Sequence, residues 1–353
     1  MSSNETEARD TNQSKARLLP ALLVASLLAN FALIYMIGSR EQPTNNRPLI
    51  EEITKSPRTS NFTLVSPHIA YMTREEFLDK QKNYIPSYTG LKLIMNETVK
   101  NKSKERDFKY GIYFEDLNTG AWVGINERDK FVPASLMKIP VVVGILKKVE
   151  DGGLTLDTKV TVHKEDVDNN YGELGGRGFE QNYTLFELIN YTLYYSDNTA
   201  LLSLRDSIDD ADVIDAMIVL GITYKTQVEY PNSKDGLVFI SPKDYSNIFR
   251  TLYYSGYLRR QHSQLMLELL ASTSFKNGLP AGVPKNVTVS HKIGSFTREG
   301  KPYYHDCGII YAPDKPYILC IMTSDLSLEE SNQLMEKISK DAYDYVSGNN
   351  QNQ

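Results

Sequence analysis

Apolar residues fall into three patterns along the 353-residue chain. The first is an unbroken run, LLPALLVASLLANFALIYMIG, from Leu18 to Gly38, with no charged residue. A bilayer core takes about 20 apolar residues of helix, whereas the apolar region of a cleaved signal peptide is usually about 7–15 residues long. No small-x-small cleavage site follows, so residues 18–38 predict a retained transmembrane anchor rather than a cleaved leader. Lys15 and Arg17 precede the run, as a cytoplasmic flank should. Arg40, Arg47, Lys55 and Arg58 follow it, so charge sets the orientation only weakly. The expected topology is a polar cytoplasmic tail (1–17) and a large extracytoplasmic C-terminal part, placing the protein in the cell membrane as a single-pass chain.

The second pattern alternates, and the third has helical spacing. Residues 39–84 carry Pro43, Pro48, Pro57 and Pro67 among many Asn, Thr and Ser residues, the composition of a linker and juxtamembrane segment, with a short helix over 73–81. The folded part is expected over 85–346, opening with a helix over 88–101. KYGIYFED (109–116) and AWVGIN (121–126) read as strands joined at Asn118-Thr119-Gly120, a hairpin. Residues 135–149 are helical and apolar nearly all round, the mark of a buried central helix. Lys147 and Lys148 near its end, with Gly152-Gly153 beyond, suit a helix C-terminus. From 184 to 272 the pattern is mainly helical, in short pieces. Strands return at 287–296, 302–311 and 316–324, and a last amphipathic helix spans 327–346 before a disordered tail (347–353). The expected fold class is α+β, an α/β sandwich: a five-stranded antiparallel sheet flanked by helices, plus an all-α lobe inserted between two early and three late strands.

Composition narrows the function. Net charge is −5 and the chain shows no basic stripe, which argues against a nucleic-acid partner. The five histidines, at 68, 163, 262, 291 and 305, have no metal-binding spacing. Gly175-Gly176-Arg177-Gly178 lacks the Lys-Ser/Thr of a phosphate loop and reads as a turn. No metal and no cofactor are expected.

The candidate chemistry lies in three short elements. Ser135-Leu136-Met137-Lys138 places a hydroxyl in the first helical turn, where peptide N–H groups lack intrahelical partners and can meet a developing oxyanion. Lys138, three residues on, shares its helix face. Burial in an apolar helix lowers a lysine pKa and makes it a base for Ser135. Such an S-x-x-K occurs about once by chance in a chain of this size. Ser196-Asp197-Asn198 is rarer, expected only about 0.05 times. It sits between two helical stretches and suits a helix N-cap. It also suits a loop in which Ser196 relays a proton, Asn198 holds a substrate amide and Asp197 fixes the loop. Lys292-Ile293-Gly294 falls on a strand. There Lys292 would anchor an anion, Gly294 would let a ligand approach the backbone, and the Ser295 N–H would serve as second oxyanion donor. Taken alone, each element also has a purely structural reading.

In this order, on helix, loop and strand, the elements resemble the signature of class A β-lactamases and penicillin-binding proteins. The resemblance covers about residues 85–346 and extends to KYGIYFEDLNTGAWVGIN, to the approach GRGFEQNYTLFELINYTLYYSDNTALLSL, and to HDCGIIYAPDKPYILCIMTS. It implies a serine hydrolase that opens a β-lactam amide through an acyl-enzyme on Ser135. The alternatives are a D,D-peptidase acting on peptidoglycan stem peptides and a non-catalytic wall-binding module. Two departures stand out. No E-x-x-L-N, which in class A enzymes carries the Glu that activates the deacylating water, lies between Asn198 and Lys292. Glu229 is the sole Glu in TYKTQVEYPNSKDGLVFISPKD. The family's K-T-G has also become Lys292-Ile293-Gly294, losing a hydroxyl that helps bind the substrate carboxylate. Finally, a turn centred on Pro313-Asp314 would set Cys307 opposite Cys320. A disulfide and two small buried thiols both remain open at this point.

Overall fold

The computed structural model describes residues 88–222 and 238–348. The run 18–38, the expected helix over 73–81 and Glu229 lie outside them. Among the described residues, no helix is long and apolar enough to cross a membrane.

The chain opens with α1 (Thr89–Ser103), then β1 (Lys109–Asp116) and β2 (Trp122–Ile125). A 3-10 turn (Ala134–Met137) runs directly into α2 (Lys138–Glu150). A ribbon of β3 (Lys159–Val162) and β4 (Gln181–Thr184) follows. Next come α3 (Leu185–Tyr194), α4 (Asn198–Arg205), α5 (Asp210–Val219), α6 (Pro242–Tyr253) and α7 (Arg260–Ser272). The chain then forms β5 (Val289–Arg298), β6 (Lys301–Ile310), β7 (Tyr317–Ser324) and α8 (Leu328–Val346). The main sheet has the order β2-β1-β7-β6-β5, and the pairs within it are antiparallel. The late hairpins thus join the early one through β1·β7, which makes the sheet a long-range structure.

Alternation along the strands explains the layers. Tyr113, Ile318, Cys320, Met322, Cys307 and Ile309 face the helical lobe. Ile112, Phe114, Tyr317, Leu319, Ile321 and Ile310 face α1 and α8. Because both faces are covered, the central strands read as continuous apolar runs rather than as alternating ones. Capping explains the ends. Thr184 and Ser327 accept from the N–H groups of Glu187 and Glu330, and those glutamates reach back, forming capping boxes at the starts of α3 and α8.

Two local features differ from expectation. Ser135 lies in a 3-10 turn ahead of α2, not in its first α-turn, because Ala134 has a positive φ of 52°. The ribbon was not foreseen. Each of its strands has four residues, and Gln-Asn-Tyr-Thr buries none of its side chains, so it has no alternating apolar signal. The cysteines are settled. Cys307 and Cys320 are register partners on β6 and β7 and are joined by a disulfide buried under the helical lobe.

Candidate active site

The segment leading to Ser135 is fastened from several sides. Phe131 forms an isolated bridge with Ile240. His305 on β6 donates from Nε2 to the Val132 carbonyl at 2.8 Å and accepts the Thr323 N–H at Nδ1 at 3.3 Å. One donor and one acceptor suit a neutral ring, and burial pushes this imidazole down to about 4. Tyr245 on α6 donates to the Leu136 carbonyl at 2.8 Å. The 3-10 turn also abuts β5: a Cβ on Gly294 would lie 2.7 Å from the Pro133 carbonyl oxygen and 3.0 Å from Leu136 Cγ. Only glycine allows the strand that carries Lys292 to come this close to the turn that carries Ser135. Ser135 itself is buried, with 7% of its surface exposed. Ser295, half-buried, lies one residue beyond Gly294 on the outer strand of the sheet.

Ser196-Asp197-Asn198 forms a tight corner between α3 and α4. Ser196 has a φ of 56°, a left-handed conformation that is uncommon for a residue with a Cβ. The corner is held by Asp197, which is fully buried. Its Oδ1 accepts the Ala200 N–H at 2.8 Å, capping α4, and its Oδ2 accepts the N–H groups of Glu173 and Leu174 at 2.6 and 2.7 Å. Gly172, with a φ of 104°, lets that loop lie against the carboxylate, since a Cβ there would be 2.2 Å from Asp197 Oδ2. The Asn198 N–H donates to the Tyr171 carbonyl at 3.0 Å.

These elements converge on one hydroxyl. Lys138 Nζ donates to the Ser196 carbonyl in a very short hydrogen bond, lies 3.2 Å from Ser196 Oγ and donates to Asn198 Oδ1 at 2.7 Å. Lys292 Nζ reaches the same Ser196 Oγ at 2.7 Å and the Ile293 carbonyl at 3.2 Å. Both lysines are buried. Desolvation, opposed by the charges of Asp197 and Asp168, lowers the Lys138 pKa to about 7. Desolvation, with the neighbouring Lys138 charge, holds Lys292 well below the usual lysine range against the pull of Asp306. A hydroxyl between two amines can accept a proton from one and donate to the other.

The structure therefore brings Lys138, Ser196, Asn198 and Lys292 into one hydrogen-bonded cluster. The turn that carries Ser135 packs on Gly294 of β5 through Pro133 and Leu136, and Ser295 is the next residue on that strand. Two contributors, an aromatic pair and a carboxylate, were not foreseen. Tyr171 and Phe275 stack at 6.2 Å, with Lys138 Nζ 6.0 Å from the Tyr171 ring and Lys292 Nζ 5.8 Å from the Phe275 ring. Burial raises the Tyr171 hydroxyl to about 12. Asp168, whose carboxylate meets Asn198, is the other. Nothing in the pattern VDNNYG distinguishes either residue from ordinary loop composition. Tyr194 and Tyr195 pack against each other in a T-shaped pair at 4.6 Å.

Comparisons with known proteins bear on the family and the fold. The model of the Beta-lactamase enzyme family matches residues 94–346. "Beta-lactamase 3" of Bacillus cereus is 24% identical over 238 residues, covering 65% of this chain and 73% of that protein. Among solved structures, PBP-A superposes with a TM-score of 0.63 at 22% identity, over 72% of this chain and 96% of that one. A point mutant of PBP-A solved as an acyl-enzyme complex with penicillin G gives 0.64 at 22% identity, over 75% and 100%. At such identities these likenesses speak for the fold.

Proposed function

Because the chain belongs to the Beta-lactamase enzyme family, we propose that it is a class A-like serine hydrolase that opens the β-lactam amide through an acyl-enzyme on Ser135 and releases it slowly. The observation that carries this reading is the Ser196 hydroxyl held between Lys138 and Lys292. In the first step, Ser135 Oγ attacks the lactam carbonyl and its proton passes to Lys138 Nζ, neutral in part near pH 7. The oxyanion takes hydrogen bonds from the N–H groups of Ser135 and Ser295. The C–N bond then breaks, and the leaving nitrogen takes the proton of Ser196 Oγ, which Lys138 restores. Asn198 holds the acyl amide, and Lys292 lines the pocket, where a bound substrate carboxylate would favour its protonated form against burial.

Release needs a base for water. The sequence shows no E-x-x-L-N, and Glu229 is the sole Glu in the corresponding stretch, so the acyl group is expected to persist. Residues 18–38 would hold the domain on the outer face of the membrane. Mass spectrometry of the full-length protein with a penicillin tests the reading. The expected result is a mass increase equal to the penicillin on the wild type and none on Ser135→Ala. No adduct on the wild type would overturn it.

A second reading is a D,D-peptidase using the same steps on peptidoglycan stem peptides. It is favoured by the missing E-x-x-L-N. Turnover of a D-Ala-D-Ala peptide without turnover of nitrocefin would establish it. The third, a non-catalytic wall-binding module, leaves the complete set of Ser135, Lys138, Ser196, Asn198 and Lys292 without a purpose.

A further inference from the structure

The amide of Asn198 has a direction, and one side chain outside the three motifs sets it. Asn198 Oδ1 accepts from Lys138 Nζ at 2.7 Å, while Asn198 Nδ2 donates to Asp168 Oδ2 at 3.2 Å. A flipped amide would aim Oδ1 at a carboxylate and Nδ2 at an amine, two unfavourable pairings. Asp168 is itself fixed. Its Oδ1 accepts the Asn170 N–H at 2.7 Å. Its own N–H donates to Thr199 Oγ1 at 2.9 Å, and that hydroxyl donates to the Asp168 carbonyl at 3.1 Å. Thr199 follows Asn198, so the first turn of α4 grips the backbone of the residue that orients it. Gly175 closes the underside: a Cβ there would lie 2.7 Å from the Asp168 carbonyl and 3.0 Å from Thr199 Oγ1.

We propose that Asp168 is a positioning residue for this site: its carboxylate fixes the Asn198 amide so that Oδ1 meets Lys138 and one N–H is left for the substrate amide. This rests on the acylation reading above. Asp168 touches no reacting atom and acts through Asn198. Its charge also reaches Lys138. Among the described residues, the charged groups facing that amine include Asp197 at the start of α4, Asp168 on the loop between β3 and β4, and Lys292 on β5, with the Tyr171 ring alongside. Removing the carboxylate removes one of the negative charges that favour the protonated amine.

The test compares Asp168→Ala and Asp168→Asn with the wild type in the full-length protein. It reads the penicillin acylation rate from pH 5 to 9 and, independently of acylation, the titration of Lys138 by NMR of 13C-labelled lysine. Hydrogen bonds to charged groups imply that Asp168→Ala slows acylation by roughly 10- to 100-fold. Asp168→Asn, which keeps an acceptor for Asn198 Nδ2, should recover most of that loss. In Asp168→Asn, both the acid limb of the rate profile and the Lys138 midpoint should move to lower pH. If Asp168→Ala does not fold, Asp168→Asn carries the test through the pH shift alone. Wild-type rates in both variants, or equal losses with an unmoved Lys138 titration, would overturn the proposal. A wild type that forms no adduct, but whose Lys138 midpoint still moves in Asp168→Asn, would sink the acylation reading and keep the positioning of Lys138. An unmoved midpoint would remove both.

Discussion

Adding one carbon at Gly294 isolates the contact between the strand bearing Lys292 and the turn bearing Ser135. In Gly294→Ala the new Cβ would start 2.7 Å from the Pro133 carbonyl oxygen, 3.0 Å from Leu136 Cγ and 3.2 Å from His305 Cδ2. Ordinary contact begins at 3.4 Å, so strand and turn must separate by about 0.7 Å (3.4 minus 2.7). The Pro133 carbonyl cannot swing aside cheaply, because Ala134 next to it is already left-handed. His305 also pins Val132 and Tyr245 pins Leu136. The displacement therefore falls on Ser135. A misplacement of about 1 Å can cost 10²-fold in rate, so acylation is expected to slow by roughly 10- to 100-fold. Overpacking of this kind costs about 1–3 kcal/mol of stability. Stopped-flow acylation with nitrocefin, alongside urea unfolding, measures both. Because the substitution adds and removes no charge, the pH of the acid limb should not move. A variant that acylates at the wild-type rate would refute the claim that Gly294 is required by close approach.

Two further outcomes follow from other parts of the structure. The base proposed for acylation, Lys138, can serve only when neutral, and burial lowers its pKa to about 7. The acylation rate should therefore fall as pH drops through that value and level off above it, and a profile flat from pH 5 to 8 would remove Lys138 from the role. The Cys307–Cys320 bridge closes a separation of 13 residues. On a chain-entropy basis, its removal in a Cys307→Ala, Cys320→Ala double variant should cost about 3 kcal/mol, and an unchanged urea midpoint would show that the hairpin alone sets the register.

How much could be read from the chain varied with the kind of signal. The strands of the main sheet were legible from β-branched and aromatic content between turn residues, and the Pro313-Asp314 turn placed Cys307 opposite Cys320 in the register observed. The helices of the lobe were legible from spacing and caps. The β3–β4 ribbon was not, since it is short and polar on one strand. Within the site, the three motifs could be named but not joined. What joins them is a glycine contact between Gly294 and Pro133, and a buried carboxylate, Asp197, that ties the corner to residues 173 and 174. Neither is a pattern of residue types. Asp168 was missed for a related reason. Its role depends on which way an amide points, and that is settled only when Asn198, Lys138 and Asp168 meet in space.

The same reasoning explains why the chemistry sits at an irregular corner. A buried amine loses its hydration and must find replacement acceptors. Helices and inner strands offer few, because their carbonyls are already engaged; the edge strand β5 still lends the Ile293 carbonyl to Lys292. The corner at Ser196 supplies them. Its left-handed residue turns a peptide carbonyl toward Lys138, and the next turn begins with Asn198, whose amide supplies another acceptor. The described hydrogen-bond partners of Lys138 and Lys292 are neutral oxygens. Full carboxylate contact would stabilise the ammonium forms and keep both lysines protonated. Neutral acceptors hold the amines in place while leaving burial free to lower their pKa. The carboxylates Asp197 and Asp168 stand one step back, bonded to backbone and to Asn198 instead. From there they order the acceptors and only partly offset the desolvation of Lys138, which is how a lysine can be both fixed in position and a base near neutral pH.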